Sequence, residues 1–131
     1  MGKTKLFQIL VIVDDFADDP QFTRNSKLLH QLYIRGRHQC ISTITSTQVY
    51  KAISPIVRKN MTHLFIYRLR NTADLLAIIE EVSAVHNPKV LLEFYNVATR
   101  EPYSFLYINL VAKTVDDMFF KNFDERLQVT G

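Results

Sequence analysis

The first half of the chain alternates between apolar runs and segments whose apolar residues recur with helical spacing. Leu6–Val13 is apolar at nearly every position, which is typical of a strand buried on both faces. Asp19-Pro20 then resembles a helix N-cap and first helical position, and Gly36 suits the end of that helix. Cys40–Thr45, rich in β-branched residues, is the second predicted strand. The apolar face of the predicted helix consists of Phe22, Leu29, Leu32 and Tyr33.

The second half of the chain continues the alternation. A short helix from about Val49 breaks and restarts at Ser54-Pro55, and Thr62–Leu69 is the third predicted strand. Asn71 and Asn87 each have the position of an N-cap, so two longer helices are predicted to follow them. The apolar face of the first is predicted to be Leu75, Leu76, Ile79 and Val82, and that of the second Leu91, Phe94 and Tyr95.

The chain closes with a predicted last strand, Tyr103–Val111, and an aromatic tail that we expect to dock on the rest of the domain. The predicted order is therefore β-α-β-α-β-α-α-β. Strands that alternate with helices indicate an α/β fold with a mainly parallel sheet flanked by helices. We interpret residues 1–131 as a single domain or a piece of one, since this length suits one domain.

The composition narrows the class of protein. Apolar residues make up 47% and charged residues 22% of the chain, as in ordinary globular proteins. The longest apolar run, Ile9–Val13, is far shorter than a membrane span, and it ends in acidic residues rather than a signal-peptide cleavage site. A lone Cys40 fits a reducing, intracellular compartment. The net charge of +3 favours a polyanionic partner only weakly.

The first predicted strand ends in a pair of carboxylates, Asp14 and Asp15. In α/β sheets, ligands gather at the carboxyl ends of the strands. Two adjacent acids there can hold Mg²⁺ and orient an attacking water, which are the two tasks that ATP hydrolysis requires. The alternative is that the pair only ends a strand and begins a turn, and the pair alone leaves both interpretations open.

Two further phrases suggest complementary roles. Gln48 follows the second predicted strand, where it can sense a γ-phosphate and hold the attacking water. Arg37 lies in the basic cluster Arg35–His38, from which it can reach the site of a neighbouring subunit as an arginine finger. The alternatives are a surface glutamine and a solvated basic turn.

A phosphate-binding loop is not apparent. Gly2-Lys3-Thr4 matches the end of the Walker A pattern G-x-x-x-x-G-K-[ST], but it lacks the first glycine, the strand before and the helix after. We interpret this match as chance. The chain is thus expected to have the strand-and-carboxylate element, Walker B, without Walker A.

Four short sequence motifs, taken in order along the chain, resemble those of one family. They are ILVIVDDFAD (Ile9–Asp18), IRGRH (Ile34–His38), STQVY (Ser46–Tyr50) and SPIVRKNMTH (Ser54–His63). The chain is similar, over roughly Leu6–His86, to the genome-packaging ATPase of nucleocytoplasmic large DNA viruses, virophages and Maverick/Polinton elements, within the FtsK–HerA superfamily.

The resemblance implies a P-loop NTPase-type sheet, RecA/ASCE-like, and a ring-forming motor that uses ATP and Mg²⁺ to drive double-stranded DNA into a capsid. It implies that Asp14 holds Mg²⁺, that Asp15 is the catalytic acid and that Gln48 is the sensor. Arg37 is the first candidate for the trans-acting arginine and Arg58 the second. Expected partners are double-stranded DNA, further copies of the chain and capsid proteins, with no membrane, in a viral factory in the host cytoplasm or in the virion.

The chain departs from the family in one large respect. The family's phosphate loop and its strand precede Walker B, whereas this sequence begins just before Walker B. We therefore expect a C-terminal portion of the motor, inactive alone, to which a separate N-terminal half can supply the phosphate loop. The alternatives are a non-catalytic decayed relative that binds DNA or a protein partner, and a Mg²⁺-dependent nuclease built on Asp14 and Asp15.

Overall fold

The structure is a computed structural model that describes residues 7–14, 27–83 and 86–129, apart from the side chain of Arg37. The chain divides into two compact units, Met1–Asn60 and Met61–Gly131. Each unit is described by itself. None of the helices in these described ranges is long and apolar enough to cross a membrane.

The first unit contains a pair of parallel strands, β1 (Ile9–Asp14) and β2 (Ile41–Ser46). Between them lies helix α1 (Lys27–Arg35), which passes directly into a 3₁₀ turn, Gly36–Gln39. After β2 come a 3₁₀ turn, Tyr50–Ala52, and helix α2, Pro55–Lys59. The buried apolar side chains of this unit among the described residues are Leu29, Tyr50, Ile53 and Val57.

Two local features fix the path of the chain in this unit. Gly36 is buried, and a Cβ atom there would lie 3.1 Å from the carbonyl oxygen of Ile41, so the close approach of the 3₁₀ turn to β2 favours glycine. Ser54 caps α2, because its Oγ accepts a hydrogen bond from the backbone N–H of Val57, and Pro55 occupies the first turn. The predicted restart of a helix at Ser54-Pro55 is confirmed.

The prediction that the first strand is buried on both faces is wrong. Leu10 and Ile12 lie on one face of β1 and are 56% and 66% exposed. Ile9 lies on the other face and is 50% exposed, so both faces of the strand are partly open to solvent. The physical reason is that the described elements do not cover these side chains, and β1 and β2 pair only with each other among the described strands.

The second unit is a four-stranded antiparallel sheet in the order β3-β4-β5-β6. The strands are β3 (His63–Ile66), β4 (Leu106–Asn109), β5 (Phe119–Lys121) and β6 (Glu125–Arg126). Helices α3 (Thr72–Val82) and α4 (Pro88–Ala98) connect β3 to β4, and a 3₁₀ turn, Val115–Asp117, precedes β5.

One face of this sheet packs against a helix. Phe119 of β5 is fully buried, and its ring centroid lies 5.4 Å from that of Phe94 on α4. Leu106 and Ile108 of β4 are buried as well. The core of the second unit therefore lies between the sheet and α4.

The other face of the sheet carries a row of aromatic rings. Phe65 of β3 stacks on its cross-strand partner Tyr107 with centroids 5.0 Å apart, and Phe105 contacts Phe123 edge-on at 5.1 Å. Phe65 is 46% exposed and Phe123 is 67% exposed. The predicted docking of the aromatic tail is confirmed by the buried Phe119, whereas the prediction that Tyr103–Val111 is the last strand is wrong, since residues of the tail form two further strands of the sheet.

The α/β class is confirmed, but the mainly parallel, P-loop-type sheet is not. Within the described residues, β1–β2 is the one parallel pairing, and the pairings of β3 to β6 are antiparallel. The physical reason lies in the connection between β3 and β4. A single helix after a strand returns the chain to the end of the sheet where that strand began, so the next strand is parallel to it. Two helices, α3 and α4, follow β3 and bring the chain back to the end of the sheet where β3 finished, so β4 runs antiparallel to β3.

The two caps of the longer helices are as predicted, while one apolar face is not. Asn71 Oδ1 accepts a hydrogen bond from Ala73 N, and Asn87 Oδ1 accepts one from Lys89 N, each at 2.8 Å. The helix α3, however, leaves Leu76 58% exposed. Its buried residues are Asp74, Ile78, Ile79 and Val82. The buried face of α3 runs through Asp74, Ile78 and Val82, which are four residues apart. The spacing of apolar residues alone does not reveal this face, because its first residue is acidic.

Candidate functional site

The carboxyl ends of β1 and β2 lie side by side. In the parallel register, Asp14 is paired with Ser46, and each is the last residue of its strand. Asp14 is exposed at this edge. A carboxylate and a hydroxyl on neighbouring strand ends are oxygen donors of the kind that Mg²⁺ takes.

The chain leaves β2 through a turn that Thr47 organises. Thr47 Oγ1 accepts a hydrogen bond from Val49 N at 3.1 Å and donates to Val49 O at 3.2 Å. This local bonding places Gln48 in an exposed bend immediately past the strand. Gln48 therefore lies at the same edge of the strand pair as Asp14, as the sequence predicts.

Strand β2 is anchored close to this edge by helix α1. The hydroxyls of Tyr33 on α1 and Thr45 on β2 share a hydrogen bond of 2.8 Å. Burial raises the pKa of Tyr33, and the hydrogen bond to Thr45 opposes that shift in part. The helical spacing predicts only that Tyr33 lies on an apolar face. The one signal in the sequence for its hydrogen bond is the polar Thr45 at the end of the second predicted strand.

A second polar contact ties α1 to α2. His30 Nε2 and Ser54 Oγ lie 2.7 Å apart, so the serine that caps α2 also bonds the preceding helix. This contact explains His30 as a structural residue. In the ranges that the structure describes, no group of three or more His, Cys, Asp or Glu side chains is placed to hold a metal ion. A Mg²⁺ at Asp14 would depend on water and nucleotide phosphates for its other ligands.

The arginine candidates lie elsewhere in the first unit. The backbone of Arg37 belongs to the 3₁₀ turn that precedes β2, so it is at the opposite end of the strand from Gln48. Six extended residues separate the two ends by roughly 17 Å. Arg58, at the end of α2, places its guanidinium 5.3 Å from the centroid of the Tyr50 ring.

The structure thus brings together two of the four predicted site residues, Asp14 and Gln48, and adds Ser46 to them. It sets the backbone of Arg37 apart. Asp15 and the Walker A-like Gly2-Lys3-Thr4 lie outside the described residues. Ser46 could have been found from the sequence, because the two predicted strands, once aligned as parallel neighbours, end together.

The comparisons with known proteins point to one family. The family described as poxvirus A32 protein matches residues 1–127, nearly the whole chain. Neither a curated protein nor a solved structure matches the chain. A family match of this extent covers both units and includes Asp14, Gln48 and Arg37. The chain belongs to the poxvirus A32 protein family, a family of viral genome-packaging ATPases.

Proposed function

We propose that this chain carries the Walker B part of a motor that couples ATP hydrolysis to the translocation of double-stranded DNA into a viral capsid. The observation that carries the proposal is the parallel register of β1 and β2 in a member of this family. That register places Asp14 beside Ser46, with Gln48 directly beyond. A metal-binding carboxylate and a γ-phosphate sensor have to share one edge of a sheet in such a site.

The residues take complementary roles in this proposal. Asp14 holds Mg²⁺, which neutralises charge on the nucleotide phosphates when it is bound. Asp15 accepts a proton from the attacking water, and Gln48 orients that water. Arg37, whose backbone lies beyond the opposite end of β2 from Gln48, serves the site of a neighbouring copy in a ring, and Arg58 is the second candidate for this role.

The exposed apolar faces of β1 support the further proposal that the site is completed by another segment. Apolar strands of this kind belong in the interior of a sheet, where each backbone edge and each face is covered. We propose that residues 1–131 act as the C-terminal part of the ATPase domain and that another segment, in the same polypeptide or in a separate one, supplies the phosphate-binding loop. Without that segment these residues are expected to be inactive, because a main-chain cradle and a lysine have to hold the phosphates.

The charge distribution supports DNA as the substrate. No Asp or Glu occurs between Asp19 and Asp74, whereas nine of the sixteen Lys and Arg residues lie there. These nine are Arg24, Lys27, Arg35, Arg37, Lys51, Arg58, Lys59, Arg68 and Arg70. An acid-free basic segment attracts the phosphate backbone of nucleic acid.

The same segment favours a second candidate function, a non-catalytic module that binds DNA or a protein partner. This alternative predicts salt-sensitive DNA binding that is independent of ATP and requires Arg35, Arg37 or Lys59. A Mg²⁺-dependent nuclease is the third hypothesis from the sequence, and neither Gln48 nor the basic cluster has a role in it.

We propose that the motor acts with capsid proteins in the viral factory of the host cytoplasm or in the virion.

The test of the motor is reconstitution. The chain is mixed with a family segment that carries a phosphate-binding loop, and ATP hydrolysis is measured with and without double-stranded DNA. Gln48→Ala should reduce the rate roughly 10²-fold or more, since a water-orienting group is lost. Gln39→Ala is the matched control, because Gln39 is exposed at the other end of β2. Equal rates in the two variants would refute the assignment of Gln48. DNA binding without hydrolysis in any mixture would favour the non-catalytic module.

A further inference from the structure

The second unit contains a cavity of about 400 Å³ that the proposed ATPase chemistry does not use. It lies between the end of β3 and the loop that follows α4. Its volume is in the range of small-molecule sites. The residues that line it are Tyr67, Arg68, Thr99, Arg100, Glu101, Pro102, Tyr103 and Ser104.

Two guanidinium groups give this cavity a positive charge. Arg68 is held in place, because its Nη1 donates to Thr99 Oγ1 at 3.2 Å and its guanidinium lies 5.9 Å from the centroid of the Tyr95 ring. Arg100 is exposed beside it. The single acidic residue of the lining, Glu101, is offset by an ion pair of 3.1 Å with Lys121. An anion in the cavity would therefore meet uncompensated positive charge.

Two tyrosine rings provide the second property of the cavity. Tyr67 is half exposed and is supported by Phe105, with ring centroids 5.2 Å apart. Tyr103 is 94% exposed and has a φ of 65°, a conformation that is uncommon for a bulky residue. The turn that holds Tyr103 there is closed by Ser104, whose backbone N–H and Oγ both donate to Glu101 O. The turn thus presents a large ring to solvent at the mouth of the cavity.

We propose that this cavity binds one nucleotide, with its phosphate on Arg68 and Arg100 and its base stacked on Tyr103. Planar guanidinium groups match phosphate oxygens, and tyrosine faces stack on any base. The nucleotide can be a free one or a single unit of a single-stranded nucleic acid, because both present the same phosphate and base. The proposal is independent of the ATPase site, since it uses none of the residues at the ends of β1 and β2.

The test measures binding to the whole chain without Mg²⁺, in the presence of a chelator. The probe is a fluorescein-labelled oligothymidine of about 12 nucleotides, a length in the range that such platforms cover, followed by anisotropy. Tyr103→Ala and Arg100→Gln should each weaken binding roughly tenfold, the effect expected from one stacked base or one phosphate contact. Tyr103→Phe should bind as the parent chain does, because the ring and its stacking surface remain.

Two controls make the result specific. Arg126→Gln removes an exposed arginine of the same unit that is paired with Asp117 and does not line the cavity. Asp14→Asn removes the proposed Mg²⁺ ligand of the ATPase site. Both variants should bind the oligonucleotide as the parent chain does. Loss of ATP hydrolysis by Asp14→Asn in the reconstituted mixture, together with unchanged oligonucleotide binding by the variant chain, would separate the two proposals.

Competition identifies the source of the nucleotide. Displacement of the probe by AMP or ATP at concentrations similar to those of an unlabelled oligonucleotide would indicate a site for free nucleotide. Displacement by the oligonucleotide alone would indicate a site for single strands. The proposal is overturned if neither probe nor mononucleotide binds, if Tyr103→Ala binds unchanged, or if Arg126→Gln weakens binding as much as Arg100→Gln.

Discussion

Removal of the Tyr33 hydroxyl tests how much its hydrogen bond to β2, the strand that leads to Gln48, contributes to stability. Tyr33 on α1 shares a 2.8 Å hydrogen bond with Thr45, the residue that precedes the last residue of β2. Tyr33→Phe deletes this bond and keeps the ring. A hydrogen bond between neutral, partly buried groups contributes about 1 kcal/mol to the free energy of unfolding. We expect Tyr33→Phe and Thr45→Val each to lower the stability by this amount and the double variant to lose less than the sum.

The raised pKa of Tyr33 adds a dependence on pH to this prediction. Because burial disfavours the phenolate, the pKa of Tyr33 in the folded protein lies above the ordinary tyrosine value that applies to the unfolded chain. The stabilisation is fully present below the ordinary tyrosine pKa and is lost as the pH rises through the folded pKa, since the unfolded chain then releases its proton more readily. The stability difference between the parent chain and Tyr33→Phe should therefore shrink at alkaline pH.

The assay is urea unfolding followed by far-UV circular dichroism at pH 7 and at several values above pH 9. Tyr103→Phe is the matched control, because its side chain is almost fully exposed and no change is expected. A stability difference for Tyr33→Phe that stays constant with pH would show that the pKa of Tyr33 is not raised in the folded protein. A loss equal to that of Tyr103→Phe would refute the structural role of the hydrogen bond.

Two further changes test the cores of the units. Gly36→Ala should destabilise the first unit by about 1–3 kcal/mol, because the new Cβ would lie 3.1 Å from Ile41 O; thermal unfolding measures this, and an unchanged midpoint would contradict the close packing. Phe119→Ala should cost about 3–5 kcal/mol in the second unit, because the ring is fully buried, whereas Phe123→Ala should cost well under half of that at its exposed position. Similar losses in these two variants, compared by urea unfolding, would contradict the described core.

The features that the sequence predicted correctly depend on local interactions. Asn71 and Asn87 were predicted to be helix caps, and each accepts the capping hydrogen bond from the residue two positions later. The predicted restart of a helix at Ser54-Pro55 is equally local, because Ser54 bonds the backbone N–H of Val57. The positions of Asp14 and Gln48 at one edge also followed from local pattern, since strand polarity alone decides where consecutive parallel strands end.

The features that could not be predicted depend on distant partners. Nothing local in Tyr103–Val111 shows that its strand pairs antiparallel with β3, because the two intervening helices decide the direction. The buried position of Asp74 was hidden for the same reason, as a charged residue in the first turn of a helix normally indicates an exposed face. The cavity around Arg68 and Tyr103 joins segments about thirty residues apart, which no motif in either segment announces.

The central claim is that the edge formed by Asp14 and Gln48 is the hydrolytic edge of a packaging ATPase. The most direct measurement is DNA-stimulated ATP hydrolysis by the chain after a family segment has supplied the phosphate-binding loop, compared between Asp14→Asn and Asp124→Asn. We expect a background rate for the chain alone, hydrolysis in the mixture, loss of that activity in Asp14→Asn and full activity in Asp124→Asn, whose carboxylate is exposed in the second unit. Undiminished hydrolysis in Asp14→Asn would contradict it.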